Sequence, residues 1–170
     1  IRAGEIFGIA GVSGNGQQEI CEVICGALTP TSGRLFLNGE EITLISIRDR
    51  IDRGLGYVPS DRQKDGMVMD MSLGENMILK TSFGQQWKRH GLLDQQKIKT
   101  YTQKAIDTYA IKATGPGALA RSLSGGNQQK VIVSREVDTG TSAIVFDQPT
   151  RGLDLGAIDY VHQTIRAEKA

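Results

Sequence analysis

Long apolar runs are missing from this sequence of 170 residues. No stretch approaches the roughly 20 apolar residues that a membrane-spanning helix needs. The longest candidate, SAIVF at 142–146, has the length of a buried strand. No signal peptide is visible, so we expect any link to a membrane to come from a partner. The chain length suits one domain with a buried core.

An excess of charge of one sign is also missing. The 20 basic and 19 acidic residues give a net charge of +1, which offers no electrostatic argument for binding nucleic acid. The basic cluster Lys88-Arg89-His90 is interpreted as a solvated surface turn. Cysteine is scarce: Cys21 and Cys25 lie four residues apart, without the further ligands that a metal site needs. We interpret both cysteines as core-filling side chains.

Strand-like and helix-like segments alternate in the first part of the chain. Glycines bound the apolar run EIFGIAG, which predicts a buried strand. The remaining predictions are a helix at 17–28, a hairpin at 34–42 that turns at Asn38-Gly39, a short helix at 46–53 capped by Ser46, and a strand at 55–59.

From Ser72 the pattern becomes helical. Ser72 and Glu75 form a capping box, a second helix is predicted at 93–110, and no strand pattern is seen between about 70 and 120. A helix at 127–137, a strand at 142–147 and a helix from Leu155 then follow. This alternation favours a parallel sheet covered by helices. We predict core parts at 1–70 and 123–170 around a helical insertion at 71–122, in a chain that looks like a fragment.

Residues 11–19, GVSGNGQQE, lie between the first predicted strand and the first predicted helix. Gly11 and Gly16 have the spacing of a phosphate-binding loop, G-x-x-x-x-G-K-[ST], but Gln17 and Gln18 replace the lysine and the hydroxyl. A dinucleotide-binding loop is an alternative, because acidic residues follow about twenty positions later. A plain glycine-rich turn is a third. The loop alone leaves all three open.

Two later segments favour the first alternative. Residues 122–130, SLSGGNQQK, place glycines at a helix start, where free N–H groups and the positive helix end favour an anion. Residues 143–154, AIVFDQPTRGLD, form a strand that ends in Asp147. In this order, the three segments resemble the ATP-binding cassette family. Together with YVPSDRQKDGMVMDMSLGENMIL at 57–79, they look like the degenerate second cassette of tandem-cassette importers for simple sugars or nucleosides. KRHGLL at 88–93 and the absence of the usual Asp-Glu pair at 147–148 resemble the nucleoside branch, of the basic-membrane-protein receptor type.

The resemblance implies an α/β fold: a P-loop NTPase with a RecA-like parallel-sheet core, a small antiparallel portion and an inserted helical subdomain, truncated at both ends. It implies an ATP-binding importer subunit that couples ATP binding and hydrolysis to solute uptake, with ATP or ADP and Mg²⁺ as cofactors. The implied partners are a sister cassette in the same polypeptide, transmembrane permease subunits and, indirectly, an extracytoplasmic solute-binding lipoprotein, with no nucleic acid. The implied location is peripheral, on the cytoplasmic side of the bacterial plasma membrane.

The resemblance also assigns roles to individual residues. Asp147 is the expected Mg²⁺ ligand and catalytic aspartate, Gln148 stands where a glutamate base is usual, and Asp154 lies in a loop that crosses to the partner domain. The expected nucleotide-binding loop comprises Gly11, Ser13, Gly14, Asn15, Gly16, Gln17 and Gln18. The signature motif, expected to act on the partner's nucleotide, comprises Leu123, Ser124, Gly125, Gly126 and Asn127.

Three glutamines depart from the family pattern. Gln17 carries no charge for the phosphates, Gln18 is a weak metal ligand at most, and Gln148 cannot act as a general base. We therefore expect weak nucleotide binding and little hydrolysis at this loop, with the intact signature completing the site of a sister cassette. The alternatives are a non-transport cassette ATPase, a dinucleotide-dependent oxidoreductase, a non-hydrolysing regulatory domain and a purely structural domain.

Overall fold

The computed structural model describes residues 1–12 and 14–169. The first half contains helix α1 (Gln17–Cys25), strands β1 (Phe36–Leu37) and β2 (Glu40–Glu41), helix α2 (Ile47–Asp52), strand β3 (Leu55–Val58) and a π-helical turn (Arg62–Gly66). The second half contains α3 (Leu73–Ile78), β4 (Lys88–Arg89), β5 (Leu92–Leu93), α4 (Gln95–Thr108), α5 (Gly125–Asp138), β6 (Ala143–Phe146) and α6 (Leu155–Ala167). Short 3₁₀ turns occur at Gln85–Trp87 and Ala120–Ser122.

The first predicted strand, EIFGIAG, is not a strand in the described residues. Its side chains Ile6, Phe7 and Ile9 are 51%, 60% and 54% exposed. A strand needs a ladder partner for its backbone groups, and the parallel pair β3–β6 does not extend to this segment. The prediction of a buried strand here, made from apolar composition alone, is therefore wrong.

The locally specified elements form as predicted. β1 and β2 pair antiparallel, Phe36 opposite Glu41, around a turn in which Asn38 and Gly39 have φ values of 52° and 82°. Both residues of such a tight hairpin turn need positive φ, which asparagine and glycine tolerate best. At α2, the Ser46 side chain accepts a hydrogen bond from the Asp49 N–H, as an N-cap does.

The parallel part of the sheet consists of β3 and β6. The strands run in register from Leu55 opposite Ala143 to Val58 opposite Phe146. α5 packs on β3, and its side chains Val131, Ile132 and others belong to the main core cluster with Val58. Because parallel strands end at the same sheet edge, the segments that follow β3 and β6 emerge side by side.

The block between β3 and α5 is largely helical but contains one more hairpin. The predicted capping box of Ser72 and Glu75 starts α3. The prediction of no strand between about 70 and 120 is wrong, because β4 and β5 pair antiparallel around His90 and Gly91, both at positive φ. Arg89 and His90 are exposed, so the basic cluster is a surface turn as predicted. In the described residues, no helix is both long and apolar enough to cross a membrane.

A buried charge network joins α5 to the rest of the domain. The carboxylate of Glu136, whose side chain is 1% exposed, pairs with Lys80 and with Arg135 and also accepts a 3.0 Å hydrogen bond from the Tyr57 N–H. Arg135 donates further to the carbonyls of Asn76 and Gly66, at 3.3 and 3.0 Å. The network links β3, the π-helical turn and α3 to α5.

Candidate functional site

The glycine-rich loop leads directly into α1. Gly14 and Gly16 have φ values of 89° and 93°, which favour glycine, and the Asn15 N–H donates to the Val12 carbonyl at 3.3 Å. Gly16 caps α1 without a side-chain hydrogen bond, so the first N–H groups of the helix are not capped. The glycine frame of an anion-binding loop is present. Ser13 lies outside the described residues.

The side chain of Gln17 occupies the inside of this loop. Its amide Nε2 donates a 3.2 Å hydrogen bond to the Val12 carbonyl. The same nitrogen lies 1.9 Å from the point that a Cβ on Gly11 would occupy, so only glycine at position 11 leaves room for it. The loop is closed by a neutral amide where a phosphate loop carries an ammonium group.

Gln18 points along α1. Its Nε2 donates a 2.8 Å hydrogen bond to Glu22, and both side chains are on the exposed side of the helix. No group of three or more His, Cys, Asp or Glu side chains that could hold a metal is found in the described part of the chain. Mg²⁺ is usually held by one or two carboxylates together with substrate phosphates. The residues here fit a phosphate at the loop but supply an incomplete ligand set for Mg²⁺.

Asp147 lies at the end of β6, beside α1. It is 5% exposed, and its N–H donates to the Val58 carbonyl at 2.9 Å. Burial raises the pKa of the Cys21 thiol, and the negative charge of Asp147 raises it further. The pKa of Tyr57 is also raised, mainly by burial and in part by the negative charge of Asp147. The fold therefore brings the strand-end aspartate to the helix that follows the glycine loop.

Gln148 begins an exposed turn with strained backbone geometry. Its φ is 43°, in the left-handed region that few residues other than glycine adopt. The Arg151 N–H closes the turn with a 3.0 Å hydrogen bond to the Gln148 carbonyl. Position 148 is thus presented to solvent directly after the buried Asp147, with a side chain that cannot take up a proton.

The predicted signature residues lie at the start of α5. Leu123 is buried, at 7% exposure, while Ser124 is exposed and extended, with ψ of 156°. The Ser124 hydroxyl does not cap the helix but accepts a 2.9 Å hydrogen bond from the Asn127 amide, whose oxygen accepts from the Lys112 N–H at 2.8 Å. The first N–H groups of α5 keep no side-chain cap, and the turn is fixed to the segment after α4.

Gly126 lies against the start of α6. A Cβ at this position would be 3.1 Å from the Ala157 Cβ and 3.6 Å from a carboxylate oxygen of Asp154. Asp154 itself caps α6 by accepting a 2.9 Å hydrogen bond from the Ala157 N–H. The structure thus brings the predicted signature turn and the predicted partner-loop aspartate together, in a close approach that a glycine at position 126 accommodates.

Sequence reasoning missed the contribution of Arg62. Its Nη1 donates a 2.7 Å hydrogen bond to the Arg151 carbonyl, across 89 positions of the chain. The only sequence signal is a polar run, DRQKDG, directly after the strand β3. Nothing in that run identifies a partner, because the acceptor is a main-chain group.

Comparison with known proteins gives the family. The profile described as ABC transporter matches residues 1–151. The chain belongs to the ABC transporter family. This membership favours the phosphate-loop interpretation of residues 11–18 over a dinucleotide-binding loop or a plain turn.

Several curated relatives are import proteins. The chain is 40% identical to the nucleoside import ATP-binding protein NupA of Lactococcus lactis subsp. cremoris, over 97% of this chain and 33% of that protein. It is also 40% identical to the guanosine import ATP-binding protein NupO of Bacillus subtilis, over 97% of the chain and 32% of that protein. The ribose import ATP-binding protein RbsA of Chelativorans is 37% identical, over 98% of this chain and 32% of that protein. The chain spans about a third of the length of these relatives.

Solved structures support the fold. The dimeric structure of a post-hydrolysis state of the ATP-binding cassette MJ0796, bound to ADP and Pi, superposes with a TM-score of 0.80 over 99% of this chain and 71% of that one, at 22% identity. A second dimeric structure of MJ0796 gives 0.79 over the same shares. The predicted fold class, a P-loop cassette with a parallel sheet and small antiparallel strands, is confirmed.

Proposed function

We propose that this chain is a cassette domain of an ATP-driven importer for nucleosides or simple sugars. The import functions in the names of its relatives support this substrate class. Its partners in this role are a sister cassette in the same polypeptide, transmembrane permease subunits and, indirectly, an extracytoplasmic solute-binding lipoprotein. The domain then works at the cytoplasmic side of the bacterial plasma membrane, as a peripheral component.

We further propose that its own loop binds nucleotide weakly. The observation that carries this proposal is the Gln17 amide, which is neutral and hydrogen-bonded inside the loop to Val12. A hydrogen bond to a charged group contributes about 1.5–3 kcal/mol, roughly twice a neutral one, so replacing lysine by glutamine lowers affinity for phosphate. Gln18, which is bonded to Glu22, supplies no hydroxyl for Mg²⁺. The glycine frame supplies the remaining backbone donors.

Hydrolysis at this loop is proposed to be slow or absent. Asp147 follows the last residue of β6, but the next residue, Gln148, has no carboxylate that could accept a proton from water. ATP or ADP with Mg²⁺ would therefore serve here as a bound ligand more than as a substrate.

The signature turn is proposed to act on the nucleotide held by the sister cassette. Three features of the turn support this role. Ser124 is exposed, the first N–H groups of α5 have no side-chain cap, and the positive end of a helix of 14 residues lies at this turn. The bond from Asn127 and the packing of Gly126 on Ala157 hold the turn in one position.

ATPase turnover of the full-length protein, assembled with its permease, tests the signature role. Ser124→Arg places a bulky cation in the turn and is expected to abolish transport-coupled hydrolysis. Ser122→Arg is the matched control, because Ser122 is also exposed but bonds only to the nearby Leu119 carbonyl. Wild-type turnover in Ser124→Arg would contradict the proposal and favour a regulatory domain that takes no part in hydrolysis.

A further inference from the structure

We propose that Arg62 is a positioning residue that holds the signature turn and the loop after β6 as one unit. The proposal rests on the role proposed above for Ser124, and it adds the side chain that sets where this turn sits. Arg62 opens the π-helical turn Arg62–Gly66 directly after β3. It therefore connects the end of a core strand with two segments that follow much later in the chain.

The guanidinium group of Arg62 lies between two glycine backbones. Its Nη1 donates to the Arg151 carbonyl at 2.7 Å. Its Nη2 lies 3.6 Å from the ideal Cβ points of both Gly125 and Gly152. One side chain thus hydrogen-bonds to the turn that precedes Asp154 and lies beside the first residue of α5. A planar group with several donors suits this position, whereas lysine offers a compact ammonium without the fork geometry of the guanidinium.

The rest of the π-helical turn is attached to α5. The Gln63 amide donates to Gln128 at 3.4 Å, and the Gly66 carbonyl accepts from Arg135 at 3.0 Å. A side chain at Gly66 would meet Ile132 at 2.6 Å, so the turn packs tightly on the helix. The turn and α5 therefore form one rigid piece, and Arg62 adds the loop at 148–154 to it.

The electrostatics show which contact secures Arg62. Its cation lies near the N-terminus of α5, which carries a partial positive charge, so the helix dipole does not stabilise it there. Its Nε is buried and has no hydrogen-bond partner within the described residues. The bond to the Arg151 carbonyl is the strong contact that remains. An anionic phosphate at the signature turn would offset the repulsion and strengthen the arrangement.

The test combines hydrogen exchange with ATPase turnover in the full-length protein. Arg62→Met removes the guanidinium but keeps an unbranched side chain, and Arg166→Met, at an exposed position of α6, is the matched control. We expect Arg62→Met to speed amide exchange at 149–154 but not at 95–108, and to lower turnover by about tenfold, as for one lost charge-assisted hydrogen bond. Arg62→Lys should recover part of the turnover, and Arg166→Met should change neither reading.

Two outcomes separate the positioning role from the signature role. Unchanged exchange at 149–154 in Arg62→Met would overturn the positioning role, whatever the turnover. Faster exchange at 149–154 with unchanged turnover would support the contact of Arg62 but contradict its contribution to hydrolysis, whereas the role of Ser124 is decided by Ser124→Arg. If Arg62→Met unfolds the domain, exchange rises at 95–108 as well. Arg62→Lys, the milder change, is then compared with the wild type. We expect faster exchange at 149–154 in this variant, and unchanged exchange there would contradict the proposal.

Discussion

The Gln17 amide folds back over its own loop and donates a 3.2 Å hydrogen bond to the Val12 carbonyl. The loop is therefore closed by its own side chain and carries no cation at the position where phosphate loops have one. Together with Gln18 and Gln148, this makes three glutamines at positions where charge, a metal-binding hydroxyl or a base would be usual. The signature turn shows no comparable loss.

Adding a lysine and a hydroxyl to the loop should strengthen its binding of nucleotide. In the double variant Gln17→Lys and Gln18→Thr, we expect the affinity for MgATP to rise by roughly tenfold or more, because one charged hydrogen bond contributes about 1.5–3 kcal/mol. Isothermal titration calorimetry measures the affinity for MgATP in the full-length protein, with the sister loop disabled. Gln17→Met is the control, because it keeps the length of the side chain and adds neither charge nor donor. Equal affinity in all three proteins would show that Gln17 is not the weak point.

The two signature glycines should respond differently to alanine. Gly126→Ala places a Cβ 3.1 Å from the Cβ of the buried Ala157, closer than most such contacts, and we expect it to lower the free energy of unfolding by about 1 kcal/mol. Gly125→Ala meets only Arg62 at 3.6 Å and should be neutral or slightly stabilising, since alanine favours a helix. Urea denaturation compares the two. A larger loss for Gly125→Ala would contradict the packing of α5 on α6.

The buried charge network should be sensitive to loss of its carboxylate. Glu136→Gln leaves Lys80 and Arg135 without their anion, and breaking a buried pair typically costs about 3–5 kcal/mol. Glu41→Gln is the matched control, because its partner Arg34 is 66% exposed, and surface pairs contribute less than about 1 kcal/mol. Thermal or urea unfolding of both variants gives the difference. Equal losses would contradict a structural role for the network.

The thiol of Cys25 should resist alkylation at alkaline pH. Burial is the main cause that raises its pKa from the ordinary 9.0 to about 12, and the thiol donates a 2.8 Å hydrogen bond to the Cys21 carbonyl. The thiolate is the reactive form, so iodoacetamide labelling of Cys25 in the folded protein should stay slow at pH 10. The same cysteine in urea should react with a midpoint near its ordinary value. A midpoint near 9 in the folded protein would contradict the burial of Cys25.

The raised pKa also affects stability. Below pH 9 the thiol is protonated in both the folded and the unfolded chain, so folding is not affected. Above that value the unfolded chain loses the proton first, so stability falls as pH rises toward the folded pKa of about 12. The loss of stability between pH 8 and 10 should be smaller in Cys25→Ala than in the wild type.

Elements set by local chemistry could be predicted from the sequence. Asn38-Gly39 specifies a hairpin turn, and Ser46 and Ser72 specify helix starts, because the groups that decide are only a few residues away. The segment EIFGIAG could not be predicted in this way, because a strand depends on a neighbour that local sequence does not contain. The hairpin β4–β5 was missed because two-residue strands leave almost no alternation to detect.

The candidate site shows the same division. Glycine spacing and the LSGG motif predicted both loops, and the resemblance predicted roles for Asp147 at the end of β6 and for Asp154 before α6. The contact between Gly126 and Ala157 and the bond from Arg62 to the Arg151 carbonyl could not be predicted, because each joins distant segments through groups without a side-chain signature. The sequence shows that Gln17 brings a neutral amide to the loop. That this amide turns back to the Val12 carbonyl is seen only in the structure.

Vanadate trapping of ADP tests most directly whether this loop is inactive while the signature turn serves the sister cassette. The measurement is the number of ADP molecules trapped when the full-length protein, assembled with its permease, turns over MgATP. We expect one trapped ADP per full-length chain, held at the sister loop. Trapping should persist in Gln148→Ala and disappear in Ser124→Arg. Two trapped ADP molecules per chain, or one that survives Ser124→Arg, would contradict it.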